Sequence, residues 1–253
     1  MTTVAIVGPD GAGKSAVARR VASSLPIPAR ALYMGVNLEA SGTVLPTTRL
    51  ALVLKRARGG RPDLTGADGA ADGRGAPRTR RNGHVGRTLL GGLRSAARLA
   101  LWMAEEWYRQ IVAWRLIRSG FVVVFDRHFF ADYFHTDVRR VPGRSVARRL
   151  HGLMLEHLYP RPDAIVVLDV PGDVLESRKG EGTTDWLERR RAEYLELRPH
   201  VRSFFVVDAN RPLDTVVADV RSIVLELART DAAPSGPDEL GRPTPAVTGG
   251  APR

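Results

Sequence analysis

One α/β domain, built on five parallel strands with helices on both faces of the sheet, is the architecture this sequence predicts. Three observations predict it. Short apolar runs alternate with helical patterns, a glycine-rich segment ending in Lys14-Ser15 joins the first run to the first helix, and charged residues follow the ends of later runs.

In chain order, the predicted strands are residues 4–7, 31–34, 121–125, 164–168 and 204–207, each a short β-branched or aromatic run bounded by polar or turn residues. A helix over 14–25 follows the first. Between the second and third strands, Leu99, Met103, Trp107, Ile111, Trp114 and Ile117 recur at spacings of three and four, which predicts a long helix with that stripe facing the core. Gly120 ends it and leads directly into the third strand. Further helices are predicted over 145–158, 173–178, 185–197 and 213–229, with no internal repeat.

Composition bounds the alternatives. A chain of 253 residues with 43% hydrophobic content suits one catalytic domain, read as 1–230. It has no cysteine, so disulfides, thiolate metal sites and cysteine nucleophiles are excluded, and any metal must be held through oxygen. The first residues pass at once into a strand pattern, and no window is apolar enough to span a bilayer. A cytoplasmic protein without a membrane partner is the expectation.

The net charge of +11 is concentrated: residues 55–98 hold Lys55 and ten arginines against Asp63, Asp68 and Asp72. Their core, 59–86, is rich in Gly, Ala, Pro and Arg and reads as a disordered basic insertion; 231–253 reads as a disordered tail. Only Lys14, Lys55 and Lys179 are lysine, so arginine is this chain's general cation and the insertion reads as a solvated segment rather than a nucleic-acid surface. The competing class is a nucleotide-binding protein, not a kinase, that contacts nucleic acid through the insertion.

The strongest motif is Gly8-Pro-Asp-Gly-Ala-Gly-Lys14-Ser15, a full match to G-x-x-x-x-G-K-[ST] between a strand and a helix. Such a loop turns backbone N–H groups toward phosphate oxygens, with Lys14 as a cation and Ser15 as a hydroxyl ligand for Mg2+. The nucleotide-binding set is Gly8, Asp10, Gly11, Ala12, Gly13, Lys14, Ser15 and Ala16. Asp10 does not suit phosphate, and either binds an acceptor hydroxyl or hydrogen-bonds its own loop. At the end of the third strand, Arg127 suits a phosphate, and Asp126 suits a nucleophilic oxygen or metal-bound water. His128 reads as structural, and Asp132, Asp137, Arg139 and Arg140 as a solvated loop. Arg178, Lys179 and Glu181 precede an Arg-rich helix, a pattern that suits a lid whose cations close over phosphates; Arg189, Arg190 and Arg191 are consecutive and read mostly as surface. Glu105 and Glu106 lie where they could reach an acceptor hydroxyl.

VAIVGPDGAGKSAVARRVASSL, VVVFDRHFFADYF, PDAIVVLDVPGDVLESRKGE and VVDANRPLDTVVADV occur in the order found in thymidylate kinases, over most of the chain outside the insertion and tail. The chain resembles that family, in particular its divergent members found with polysaccharide genes. The resemblance implies a P-loop fold like that of nucleoside monophosphate kinases with a helical lid, ATP with Mg2+ as phosphoryl donor, and a homodimer. It implies that dTMP or another nucleoside monophosphate, or else a sugar or sugar phosphate, is the acceptor, that Asp10 touches it, that Arg127 holds its phosphate, and that Asp126 sits by the reacting groups. Arg178 would belong to the lid, and Ala209 and Asn210 would lie against adenine. One departure stands out: after the second strand, Tyr33-Met-Gly-Val-Asn37 replaces the family's Arg-x-Pro-Gly, which leaves Arg49 as the replacement cation to test.

Overall fold

The computed structural model describes residues 2–35, 41–57, 89–139, 143–179 and 182–232. The basic insertion 59–86, most of the tail, Asn37, Arg140 and Glu181 lie outside the described residues. Five parallel strands, β1 (Thr3–Val7), β2 (Ala29–Tyr33), β3 (Val122–Asp126), β4 (Ala164–Asp169) and β5 (Ser203–Asp208), form one sheet in the order β2-β3-β1-β4-β5. All five predicted strands are present and differ from expectation by two residues at most.

β1 is central because it can be. All five of its residues are buried, as are all five of β3, so neither needs a polar face. Alternate side chains then feed two cores. Val4, Ile6, Val124, Val166 and Leu168 pack on one face with α1 (Lys14–Ser24) and α8 (Leu213–Ala232) through Val17, Val21, Val216, Val220 and Val224. Ala5, Val7, Val123, Phe125, Ile165 and Val167 pack on the other with Ala113, Phe129, Phe130 and Leu155. The other helices are α2 (Pro46–Ala57), α3 (Leu89–Arg118), α4 (Phe129–Tyr133), α5 (Val146–His157), α6 (Gly172–Lys179) and α7 (Thr184–Leu195).

Three expectations are corrected. The fully buried face of α3 is Glu105, Glu106, Arg109, Gln110 and Ala113, while Ile111 and Trp114 of the predicted stripe are exposed. Apolar spacing misplaced that face because α3 packs over a polar layer: Glu105 accepts from the Leu45 N–H, Glu106 Oε2 meets His151, and Arg109 donates to the Gly35 carbonyl at 2.6 Å. Asp132 and Asp137 do not lie in a solvated loop. α4 carries Asp132, and the π-helical turn that continues it, Phe134–Val138, carries Asp137, which is 2% exposed. Asp231 belongs to α8 rather than to a tail, and its Oδ2 accepts a 2.7 Å hydrogen bond from the Thr2 hydroxyl. No described helix is long and apolar enough to cross a membrane.

Candidate functional site

The loop between β1 and α1 is shaped by two glycines. Gly8 has φ 146°, and a Cβ there would lie 2.7 Å from the Leu168 carbonyl oxygen, so β1 leaves the sheet tight against β4. Gly13, at φ 84°, is the N-cap of α1 and receives no side-chain cap. The first turn of α1 contains no acidic residue, and among the described residues the N–H groups of Gly13, Lys14 and Ser15 have no acceptor. These are the orphan donors of a helix start, aimed where an anion would sit. The loop therefore fits a nucleotide's phosphates on geometry as well as on motif.

Lys14 is buried beneath this loop, with its Nζ 2.8 Å from the Gly8 carbonyl oxygen, 2.6 Å from that of Pro9 and 3.5 Å from Asp10 Oδ1. Burial, and then the positive charge of Arg127, lower its pKa to about 8 against the opposing pull of Asp10. Ser15 is half-buried on the adjoining turn of α1, beside Ala16, and its hydroxyl makes no internal hydrogen bond among the described residues. No group of three or more His, Asp or Glu side chains among the described residues is placed to hold a metal. Ser15 is the residue of this loop whose hydroxyl could serve a metal ion bound together with phosphates.

β3 delivers the second half of the site. Pairing in register with β1 sets Asp126 opposite Ile6, and Arg127 leaves the strand at φ 69°, a left-handed backbone that turns its side chain across the loop. The Arg127 guanidinium forms a short ion pair with Asp10. Burial alone would lower the pKa of Arg127, but the carboxylates of Asp132 and Asp10 outweigh it and hold the side chain charged. Asp126 is 7% exposed, and its Oδ1 has no hydrogen-bond partner among the described residues. His128 caps α4 by accepting from the Phe130 N–H at 3.3 Å, and burial lowers its pKa to about 4, so it is a neutral structural cap.

Sequence reading missed Asp132 and Tyr194. Asp132 Oδ1 accepts the Tyr194 hydroxyl at 3.0 Å, while its Oδ2 is buried without a partner among the described residues. Burial raises the pKa of Asp132, and the attraction of Arg127, then Arg190, then Lys14 counters part of that rise. Only spacing could have placed it, six residues beyond Asp126 on a helix entered from the strand end, and that signal is weak.

The Arg-rich segment divides. Arg189 is exposed, Arg190 bonds Glu193 at 2.5 Å and the Tyr194 hydroxyl at 3.3 Å, and Arg191 grips Asp169 with two nitrogens. Arg191 therefore ties α7 to the end of β4 rather than facing water. Arg178 donates from Nη1 to the Ala209 carbonyl and from Nη2 to Asn210 Oδ1, each at 3.3 Å, which joins the turn after β5 to α6. Lys14, Asp10 and Arg127 thus form one cluster, with Asp132 and Asp126 within its electrostatic reach, and Arg178, Ala209 and Asn210 form another. Arg49 lies exposed on α2, with no ion pair among the described residues.

Known proteins narrow the reading. The chain is 30% identical over 115 residues to a probable thymidylate kinase of Archaeoglobus fulgidus, covering 43% of this chain and 55% of that one. It is 32% identical over 120 residues to a thymidylate kinase of Ruegeria pomeroyi, with coverages of 43% and 56%. For a thymidylate kinase of Thermosipho africanus the values are 26% over 116 residues, 43% and 57%. Over part of its length, the chain is similar to thymidylate kinases. It spans little more than half the length of these relatives, and no protein-family model matches it.

Proposed function

We propose that this chain is a kinase, transferring the γ-phosphate of Mg2+-bound ATP to a small-molecule acceptor. The observation that carries this is the joining of Lys14, Asp10 and Arg127 at the carboxyl ends of β1 and β3, beside the bare N-terminus of α1, where open α/β sheets bind ligands. The partial likeness to thymidylate kinases supports it. Acceptors of the expected classes are nucleoside monophosphates, dTMP among them, and sugars or sugar phosphates. A cytoplasmic setting and a homodimer belong to the same proposal.

In the proposed reaction the N–H groups of Gly13, Lys14 and Ser15 and the Lys14 ammonium hold the donor phosphates, and Ser15 offers its hydroxyl to the metal. Mg2+ supplies charge neutralisation across those phosphates. Arg127, kept charged by its carboxylate neighbours, lies where it would steady the transferred group, and Arg178 secures the turn at Ala209 and Asn210 that would lie against adenine. The test is ADP release by purified protein with Mg2+ and ATP across panels of nucleoside monophosphates, nucleosides and sugars. Acceptor-stimulated release that Lys14→Ala abolishes is expected; full activity in that variant would sink the proposal.

A further inference from the structure

We propose that the acceptor presents an uncharged hydroxyl to the transferred phosphate, as a sugar or nucleoside does, and that Asp132 and Asp126 receive it. This rests on the phosphotransferase reading above and specifies its acceptor.

The first argument is charge. Among the described residues, the cations around the loop and the end of β3 are Lys14, Arg127 and Arg190, with Arg109 behind them against Gly35 and Phe129, and the carboxylates are Asp10, Asp126 and Asp132, with Glu105 and Glu106 acting on Arg109. Arg127 is already ion-paired with Asp10, and Arg190 is held by the further carboxylate of Glu193. Arg49 stays exposed on α2 without an ion pair among the described residues. A phosphate monoester carries between one and two negative charges near neutrality. It would meet no surplus of positive charge among these groups, and the donor's phosphates would stand beside it.

The second argument is hydrogen bonding. Asp132 Oδ2 and Asp126 Oδ1 are buried, and neither has a partner among the described residues. Buried carboxylate oxygens need donors. A polyol supplies them, whereas a phosphate oxygen is itself an acceptor. Tyr194 fixes the orientation of Asp132 by donating to Oδ1 at 3.0 Å, which leaves Oδ2 for the acceptor.

In the transfer, the acceptor oxygen forms a bond to the γ-phosphorus, and the bond from that phosphorus to the bridging oxygen breaks. ADP leaves with the electron pair. The hydroxyl proton passes to Asp132 Oδ2 and from there to water. Burial raises the proton affinity of Asp132, which suits that role.

The experiment compares inorganic phosphate, dTMP and thymidine by calorimetric titration of the full chain, with and without a non-hydrolysable ATP analogue and Mg2+. Wild type is expected to bind dTMP no more tightly than thymidine, and Asp132→Asn to gain at least tenfold affinity for phosphate and dTMP. A tenfold or greater wild-type preference for dTMP overturns the proposal, and this reading needs no variant. So does an Asp132→Asn variant that folds but leaves phosphate affinity unchanged. Product analysis by 31P NMR with thymidine, dTMP, glucose and glucose 1-phosphate adds a chemical criterion: a new phosphate monoester supports the proposal, and a new phosphoanhydride overturns it. Failure of the analogue to bind would instead defeat the phosphotransferase reading, while the titrations without nucleotide still report the charge of the pocket.

Discussion

Two polar regions lie on the same side of the molecule's design problem and solve it differently. At the phosphate loop, charged groups come from adjacent strand ends and backbone donors are left unused: Lys14, Asp10 and Arg127 meet, while the start of α1 has no acceptor among the described residues. Beneath α3, charged groups close on each other. His151 of α5 sits 2.7 Å from Asp137 Oδ2 through Nδ1 and 3.0 Å from Glu106 Oε2 through Nε2, with Trp102 and Tyr133 against its ring. The first arrangement leaves donors for a ligand, and the second uses its charges to fasten three elements together. Burial is therefore a poor guide to function in this chain, and the unused backbone donors at a helix start are a better one.

The contrast breaks if changes to the loop cost stability or changes to the α3 layer cost only turnover. The largest expected effect is at Lys14: Lys14→Ala should lower turnover by about a thousandfold, or about 4 kcal/mol in the transition state, with the far-ultraviolet circular dichroism spectrum retained. Next comes His151→Ala, which strands Glu106 and Asp137 as buried carboxylates and should destabilise the fold by about 3–5 kcal/mol in urea denaturation. An unchanged midpoint would mean that the layer fastens nothing.

A pH series sharpens the same comparison without mutation. Burial lowers the pKa of His151, but the hydrogen bonds to Asp137 and Glu106 more than reverse this and raise it from 6.5 to about 9. A raised folded-state pKa gives stability that is complete below pH 6.5 and is lost as pH rises through 9, on the order of 3 kcal/mol. Melting temperature should fall over that interval, and the fall should vanish in the His151 variant. Smaller still is Gly152→Ala. A Cβ there would run into the Asp137 carbonyl oxygen, so α5 would have to withdraw, at about 1–3 kcal/mol. A neutral result would show that α5 moves away freely and that Asp137 does not depend on its present distance from His151.

The sheet and the loop were legible because their signals are local. A strand is announced by its own few residues, and the phosphate loop is eight consecutive positions whose chemistry follows from backbone conformation. Asp126 and Arg127 were legible for the same reason, as charges at a strand end. Glu106, Asp137 and His151 were not, since each is ordinary alone and becomes informative only when α3, the turn after α4 and α5 converge. The α3 stripe failed in a related way: the spacing of Ile111 and Trp114 gave the helix correctly, yet its buried face carries Glu105, Glu106 and Arg109. Periodicity assumes that apolar residues mark the inside, and here a buried polar layer takes that place.

The position of β1 has a consequence for when this protein becomes competent. β1 precedes its partners β3 and β4 by more than 100 residues of sequence, and the Asp10 contact with Arg127 spans 117. Gly8 lies against Leu168 of β4, so the loop takes its shape only once that strand has docked. Such non-local closure carries a high contact order and folds slowly. Phosphate affinity should therefore emerge late in refolding, after helical signal has recovered, and would serve as a reporter of the last step in sheet assembly.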